Sequence, residues 1–406
     1  MLNILGINIS TLSRQEVLEK IGQFLEDGQQ HYLVTPNPEI ILEAHWDEEF
    51  FYILNKADLS LPDGAGLKFA AWAMGKNLRR VTGADLVEDV LEMAQKDNLV
   101  VAVLNWDRGL SSKQDIENVL KNKYHGLRFT VEDIKRDLVP FEGTKSHVDV
   151  DILFCTLGAP YQEKFIYHAI NPSPCEGEGG VGLPSVKVAI GVGGAFDFLT
   201  GKIKRAPKIM RLSGLEWLWR LFKQPWRARR IYQAVIVFPL KFIKWRFINP
   251  FLYRPNVACL LYRKNKNGYE ILLAERRDPP DHWQLPQGGT DGQDLMIAGI
   301  RELKEEIGTD KFKEVASFKN LWKYKYHKNS VRLGVLSRRS TGYKGQKQSL
   351  FIAEFLGEDK DITINFWDHR NWKWVKANNL INKVYPSRRK ATRIFLEKFK
   401  SLRITN

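Results

Sequence analysis

The stretch Trp283-Gln284-Leu285-Pro286-Gln287-Gly288-Gly289, followed at close range by Arg301-Glu302-Leu303-Lys304-Glu305-Glu306-Ile307-Gly308, decides the character of the C-terminal third of this chain. A helix over the second segment sets Glu302, Glu305 and Glu306 at i, i+3 and i+4, so three carboxylates crowd within side-chain reach. Such a cluster is costly without cations. Its hard oxygen donors suit Mg²⁺ or Mn²⁺, ions that bridge diphosphates and lower the pKa of an attacking water. Upstream, Gly288 and Gly289 let the backbone approach a phosphate. A solvated amphipathic helix rich in Arg, Glu and Lys is the plain alternative, and the Gly-Gly loop with its preceding tryptophan sets this segment apart from it.

Together with Tyr343-Lys344-Gly345-Gln346-Lys347-Gln348, these segments resemble the Nudix box, in the branch that acts on dinucleoside polyphosphates and RNA 5′-diphosphates. The resemblance implies an α/β/α sandwich and metal-dependent phosphoanhydride hydrolysis. It implies Glu302, Glu305 and Glu306 as metal ligands, with Glu305 and Glu306 counted as catalytic. Gly288 and Gly289 would face phosphate, and Trp283, Tyr343, Gln346 and Gln348 the nucleotide, with core packing the alternative for Trp283. One departure stands out. The family spaces glycine and glutamate by five residues, whereas here Gly288 is followed after four by Gln293. The glutamate usually supports the loop through the arginine, so an altered loop is expected. A nucleotide-binding domain without hydrolysis remains the alternative.

At 406 residues the chain exceeds a usual single domain, and 44% apolar content supplies ample core. Cys155, Cys175 and Cys259 are odd in number and widely spaced, which argues against a disulfide framework and for a reducing compartment. Met1-Leu2-Asn3-Ile4-Leu5-Gly6 lacks the basic and long apolar parts of a secretory signal. The net charge of +15 is concentrated: between Lys204 and Arg254 there are thirteen Lys or Arg and a single acid, Glu216. Aromatic residues, among them Trp217, Trp226 and Phe247, interleave with these bases. The most apolar piece, Ala234 to Leu240, is interrupted by Pro239 and falls far short of the roughly 20 residues of a membrane span. A segment lying in the interface of an anionic membrane fits this composition; nucleic acid, bound through stacking and phosphate contacts, is the rival partner.

In the first 200 residues, Tyr32-Leu33-Val34, Leu99 to Leu104, Val150 to Phe154 and Val186 to Ile190 read as buried strands separated by helices, which indicates an α/β domain with a largely parallel sheet. Ligands of such sheets sit at the carboxyl ends of strands. There fall Thr35-Pro36-Asn37-Pro38-Glu39, Leu61-Pro62-Asp63-Gly64-Ala65-Gly66, Thr82-Gly83-Ala84-Asp85, Leu157-Gly158-Ala159-Pro160-Tyr161-Gln162-Glu163 and Gly191-Val192-Gly193-Gly194-Ala195-Phe196-Asp197. In this order, and with Lys204-Arg205-Ala206-Pro207 and Gly214 to Arg220, they resemble the WecG/TagA/CpsF glycosyltransferase family from about Leu5 to Arg230.

That resemblance implies a Rossmann-like domain transferring an N-acetylhexosamine, typically N-acetylmannosamine, from a UDP-sugar to a polyprenyl-diphosphate-linked sugar with inversion. Asp63 matches the family's base, with helix capping as the alternative. Thr35, Asn37, Gln162 and Glu163 match pocket residues, which could instead satisfy loop backbone. Arg205, Arg211 and Arg220 could neutralise diphosphates. No cofactor is implied for the transferase. Asn105-Trp106-Asp107 replaces the family's usual Gly-rich turn, Asp149-Val150-Asp151 reads as structural, and Asn171 to Pro184 as an insertion. The chain is therefore expected to divide into a transferase at 1–203, a membrane-facing appendage at 204–254 and a Nudix domain at 255–406. It is expected on the cytoplasmic face of the cell membrane, with a homo-oligomer plausible. RNA processing is the alternative function.

Overall fold

The computed structural model describes residues 1–136, 150–171, 186–207, 209–210, 214–266, 268–277, 279–326, 341–365 and 367–402. Arg211, Asp149, Cys175 and nearly all of the expected insertion lie outside them. Two compact units are present, Met1–Phe242 and Ile243–Asn406.

The apolar runs of the first unit become a six-stranded sheet in the order β4-β3-β8-β7-β5-β6. Its strands are β3 (His31–Val34), β4 (Leu59–Ser60), β5 (Val100–Trp106), β6 (Arg128–Ile134), β7 (Ile152–Cys155) and β8 (Val188–Gly191), and every pairing is parallel. β3, β7 and β8 are buried along their whole length, as parallel strands covered on both faces must be. The short strand β4 and the edge strand β6 were not apparent as apolar runs. In β6, Val131 and Ile134 are buried while Arg128 and Thr130 are exposed, the mixed pattern of an edge. A hairpin of β1 (Leu2–Ile4) and β2 (Ile7–Ile9) stands apart from the sheet.

Helices α1 (Arg14–Glu26), α2 (Pro38–Ala44), α3 (Glu48–Lys56), α4 (Ala65–Ala73), α5 (Gly83–Lys96), α6 (Lys113–Lys123), α7 (Tyr161–Ile170) and α8 (Ala195–Leu199) connect the strands. Their starts are written locally: Ser13 and Ser112 form capping boxes with Glu16 and Asp115, and Asn37 and Thr82 accept from the first-turn amides of α2 and α5. Beyond them the chain is helical over Glu216–Lys223, Ala228–Tyr232 and Phe238–Ile243. Pro239 does not interrupt this last piece. Wider turns over Gln233–Val237, where the amide of Phe238 reaches Gln233, precede the proline and accommodate its missing N–H.

In the second unit, β9 (Tyr253–Asn265), β10 (Gly268–Arg276), β11 (Trp283–Gln284), β12 (Gln287–Gly289), β13 (Phe312–Lys325), β14 (Gly345–Phe355) and β15 (His369–Lys376) form one mixed sheet. β9 and β14 are its parallel pair. Alternation along β9 sends Ala258, Leu260 and Tyr262 into one core and Val257, Cys259 and Leu261 into another. The first core is closed by the helix Arg389–Ser401 through Phe395, Leu396 and Phe399, the second by the helix Leu295–Ile307 through Leu295, Leu303 and Ile307. This is the expected α/β/α sandwich.

Ile190 lies in the middle of the first unit's core with no exposed surface. Ile190→Ala is expected to cost about 2–5 kcal/mol, read as an earlier urea transition of the first unit.

Candidate active sites

The carboxyl ends of the parallel strands open into a cavity of about 1500 Å³ within the first unit. Thr35 and Asn37 line it from the end of β3, Asp63 from beyond β4, Trp106 from β5, and Gln162 from the start of α7. Asp63 does not cap α4, because Gly64 occupies the capping position and no side chain bonds there. Its carboxyl is held instead by Arg80, 3.4 Å away. Arg80 also pairs with Glu216 at 2.7 Å, and Glu216 pairs with Arg220 at 2.7 Å. Desolvation in the cavity wall pushes the Asp63 carboxyl above its ordinary value, opposed by the charges of Arg80 and Arg220. A carboxylate shifted in that direction suits a base working near neutral pH. Sequence reading missed Arg80, whose partners are 17 and 136 positions away.

The loop residues are held as firmly as they are placed. Asn37 caps α2 while facing the cavity, and the Thr35 hydroxyl donates to the Gly191 carbonyl at 3.0 Å. Gln162 reaches the cavity edge, whereas Glu163 lies fully buried behind it and does not line the cavity. Where the Gly-rich turn is replaced, Arg136 lies over the Trp106 ring at 3.5 Å and its Nε donates to the Leu157 carbonyl at 2.7 Å. Asn105 donates to Ser111 and Asp133. Asp151 is structural: it pairs with Lys187 at 2.7 Å and accepts from the Val100 amide.

Cations dominate the cavity mouth. Arg205 pairs with Asp85 at 2.8 Å. Burial and the neighbouring charges of Arg230 and Arg220 push Arg227 down to about 10. Such crowding raises the positive potential at the mouth. Along the following helical turns Phe238 and Phe242 are fully buried, while Trp226, Tyr232, Ile236 and Leu240 are exposed. Among the described residues no helix is long and apolar enough to cross a membrane.

In the second unit the three glutamates separate. Glu302 and Glu306 are buried, and Glu305 is largely accessible and paired with Arg301 at 2.7 Å. Glu306 accepts from the Gln287 amide at 2.9 Å. A β-carbon at Gly288 would overlap the Glu302 carboxylate, and one at Gly289 the Arg254 guanidinium, so this close approach requires both glycines. The shortened loop is nevertheless anchored. Arg301 donates to Gln293 at 3.0 Å and to the Gly289 carbonyl at 2.6 Å, so the glutamine amide does what the family's glutamate does.

Gln346 and Gln348 are buried. The first accepts from the Tyr324 hydroxyl, and the second donates to Gln287 at 2.7 Å. Trp283 packs against the core beneath Lys373, and Tyr343 is half-buried. The sequence reading missed Asp368 and His369. With Glu306 they present three ligand atoms within 4.8 Å of one another. His369 Nε2, fully buried, stands 3.9 Å from Glu306 and 3.7 Å from Asp368, with no hydrogen-bond partner among the described residues. Two carboxylates and an imidazole nitrogen at these distances fit a divalent ion.

A parallel α/β domain with a cationic cavity at its strand ends, joined to a sandwich with buried carboxylates beside a Gly-Gly loop, defines a group-transferring domain followed by a phosphate-handling one. Residues 2–250 match the glycosyl transferase WecG/TagA/CpsF family and residues 252–395 the NUDIX domain; the chain belongs to the WecG/TagA/CpsF family and carries a Nudix domain after it. It is 30% identical over 240 residues to the N-acetylglucosaminyldiphosphoundecaprenol N-acetyl-beta-D-mannosaminyltransferase of Bacillus subtilis, covering 56% of this chain and 85% of that protein. It is 36% identical over 154 residues to an RNA pyrophosphohydrolase of Wolbachia pipientis subsp. Culex pipiens, covering 37% of this chain and 91% of that protein. A crystal structure of a C. elegans Ap4A hydrolase complex aligns with 36% of the chain and 98% of its own, at 23% identity and a TM-score of 0.28.

Because the charge of Arg80 opposes the upward shift of Asp63, Arg80→Ala is expected to raise that carboxyl further and move the acidic limb of the transfer pH profile to higher pH. Gly288→Ala is expected to displace Glu302, abolishing hydrolysis and weakening Mn²⁺ binding measured by calorimetry, while sugar transfer persists.

Proposed function

We propose that the chain is a bifunctional, membrane-associated enzyme. The first unit transfers an N-acetylhexosamine, N-acetylmannosamine by preference, from its UDP derivative to a polyprenyl-diphosphate-linked sugar in cell-surface polysaccharide synthesis. The observation that carries this reading is Asp63, recessed at the strand ends in a cavity walled by arginines and shifted toward a working base. Asp63 takes the proton of the acceptor hydroxyl as its oxygen attacks the anomeric carbon, the bond to UDP breaks on the opposite face, and the configuration inverts. Arg205 and Arg220 engage the diphosphates of donor and acceptor through paired N–H groups, Arg211 is assigned the same role from its motif, and Thr35 and Asn37 bound the donor pocket. The likeness to the Bacillus subtilis transferase supports this assignment.

The second unit hydrolyses a nucleoside diphosphate-linked substrate, with RNA 5′-diphosphates and dinucleoside polyphosphates first in order. Glu302, Glu305 and Glu306 are the proposed ligands of the box; the proposal adds Asp368 and His369, supported by the convergence of their ligand atoms with that of Glu306. A bound divalent ion supplies charge neutralisation on the diphosphate and a more acidic water. Of the chain's own groups, Gly288 and Gly289 admit the phosphate to the backbone, Arg301 holds their loop, and Glu305 is the accessible carboxylate able to receive a proton. In this reading the appendage lies against the cytoplasmic face of an anionic membrane, supported by the exposed Trp226, Tyr232, Ile236 and Leu240 among bases, each base adding on the order of 1 kcal/mol.

Purified protein with Mn²⁺ or Mg²⁺ is to be offered RNA 5′-diphosphates, dinucleoside polyphosphates and a UDP-sugar with its lipid-linked acceptor. Glu306→Gln is expected to lose hydrolysis alone, and Asp63→Asn to lose transfer alone by about 10²-fold or more. Hydrolysis of no member would leave the Nudix unit as a nucleotide sensor. Sedimentation with anionic vesicles supports the membrane surface, and salt-sensitive RNA binding without it supports RNA processing instead.

A further inference from the structure

Two loops bound the first unit's cavity on either side of Gln162, one running from Leu157 into α7 and one following β8. The Gln162 side chain joins them. Its Oε1 accepts from the Gly158 amide at 3.1 Å and from the Gly193 amide at 2.9 Å. Two N–H donors converging on one atom identify that atom as the oxygen, so the amide nitrogen points the other way. There it donates to Glu163 Oε1 at 2.8 Å, within the interior. Gln162 is 2% exposed and Glu163 0%. The space is closed to anything larger: a β-carbon at Gly191 would stand 2.8 Å from Gln162 Nε2.

We infer that Glu163 is a positioning residue, which by accepting from the Gln162 amide turns its oxygen toward Gly158 and Gly193 and so locks the two loops in the spacing that receives the donor diphosphate. Glu163 has no route to the substrate, and its work is done through Gln162. The neighbouring Thr35 bond to the Gly191 carbonyl pins the same loop from β3, so the loop after β8 is held at both its carbonyl and its amide. Burial, eased by the bond from Gln162, pushes the Glu163 carboxyl up to about 7, in keeping with a group that serves as an acceptor and whose negative charge is not required. This role rests on the transferase reading for its kinetic consequence but not for its geometry.

The test compares Glu163→Gln with Glu163→Leu in the full chain. The glutamine keeps a carbonyl oxygen able to accept from Gln162, and the leucine does not. Glu163→Leu is expected to raise the KM for the UDP-sugar, and the Kd for UDP by calorimetry, about tenfold, the equivalent of one lost hydrogen bond. Its kcat should stay within a few-fold of wild type, and the Gly158 and Gly193 amides should exchange faster with deuterium. Glu163→Gln should restore all three. Equal loss of kcat in both variants would overturn the proposal in favour of a required negative charge. Unchanged KM and unchanged amide exchange in Glu163→Leu would overturn it in favour of core packing alone. Should Glu163→Leu fail to fold, Gln162→Leu removes the same bridge one residue away, and unprotected Gly158 and Gly193 amides there are the expected result. If wild type transfers no sugar, the transferase reading falls, and the exchange measurements still decide the brace.

Discussion

One guanidinium, that of Arg80, balances the charges on which the first unit's cavity depends. It sits between Asp63 and Glu216, and Glu216 is the single acid in the segment between Lys204 and Arg254. A segment so basic would be repelled from a cavity already rich in arginine. Glu216 reverses that locally by joining Arg80 on one side and Arg220 on the other. The helix Glu216–Lys223 is thus tied to the cavity wall through its one acid, alongside the Arg205–Asp85 and Arg230–Glu39 pairs, and Asp63 shares the cation that makes this tie.

A parallel constraint governs the second unit. Buried carboxylates can be kept beside a glycine loop only if the loop is fixed from outside, and Arg301 does this through the Gly289 carbonyl and Gln293. Removing one residue from the loop and exchanging glutamate for glutamine leaves that function intact, because an amide oxygen accepts from a guanidinium as a carboxylate does, with less charge. Gln348 secures the other end by holding Gln287, whose own amide donates to Glu306. The loop and the carboxylates hold each other.

How much of this was legible in the sequence depended on distance along the chain. Continuous apolar runs announced β3, β5, β7 and β8, because that signal acts over a few neighbours. The edge strand β6 lacked such a run. The loop residues were legible as a set, but their tasks were not: Gln162 and Glu163 belong to one motif, yet the first touches the cavity and the second is walled off from it. Asp368 and His369 stand some sixty positions from Glu306, whose carboxylate they approach. Only the pairing of β15 with β10 and the folding of the sheet bring them to Glu306, and no local spacing encodes that. Arg80 and Glu216 were illegible for the same reason.

The alternation along β9 limits where this chain can change length. Val257, Cys259 and Leu261 face the helix that carries the glutamates, and Ala258, Leu260 and Tyr262 face the opposite core. Inserting or removing one residue within that run would exchange the two sets and present each core with the other's side chains. The loop after Gly289 has no such parity, since one flexible amide spans whatever gap is left. The C-terminal domain therefore divides into stretches where residues can be counted in and out freely and stretches where only their identities can vary. The missing residue of the shortened box lies in the first kind.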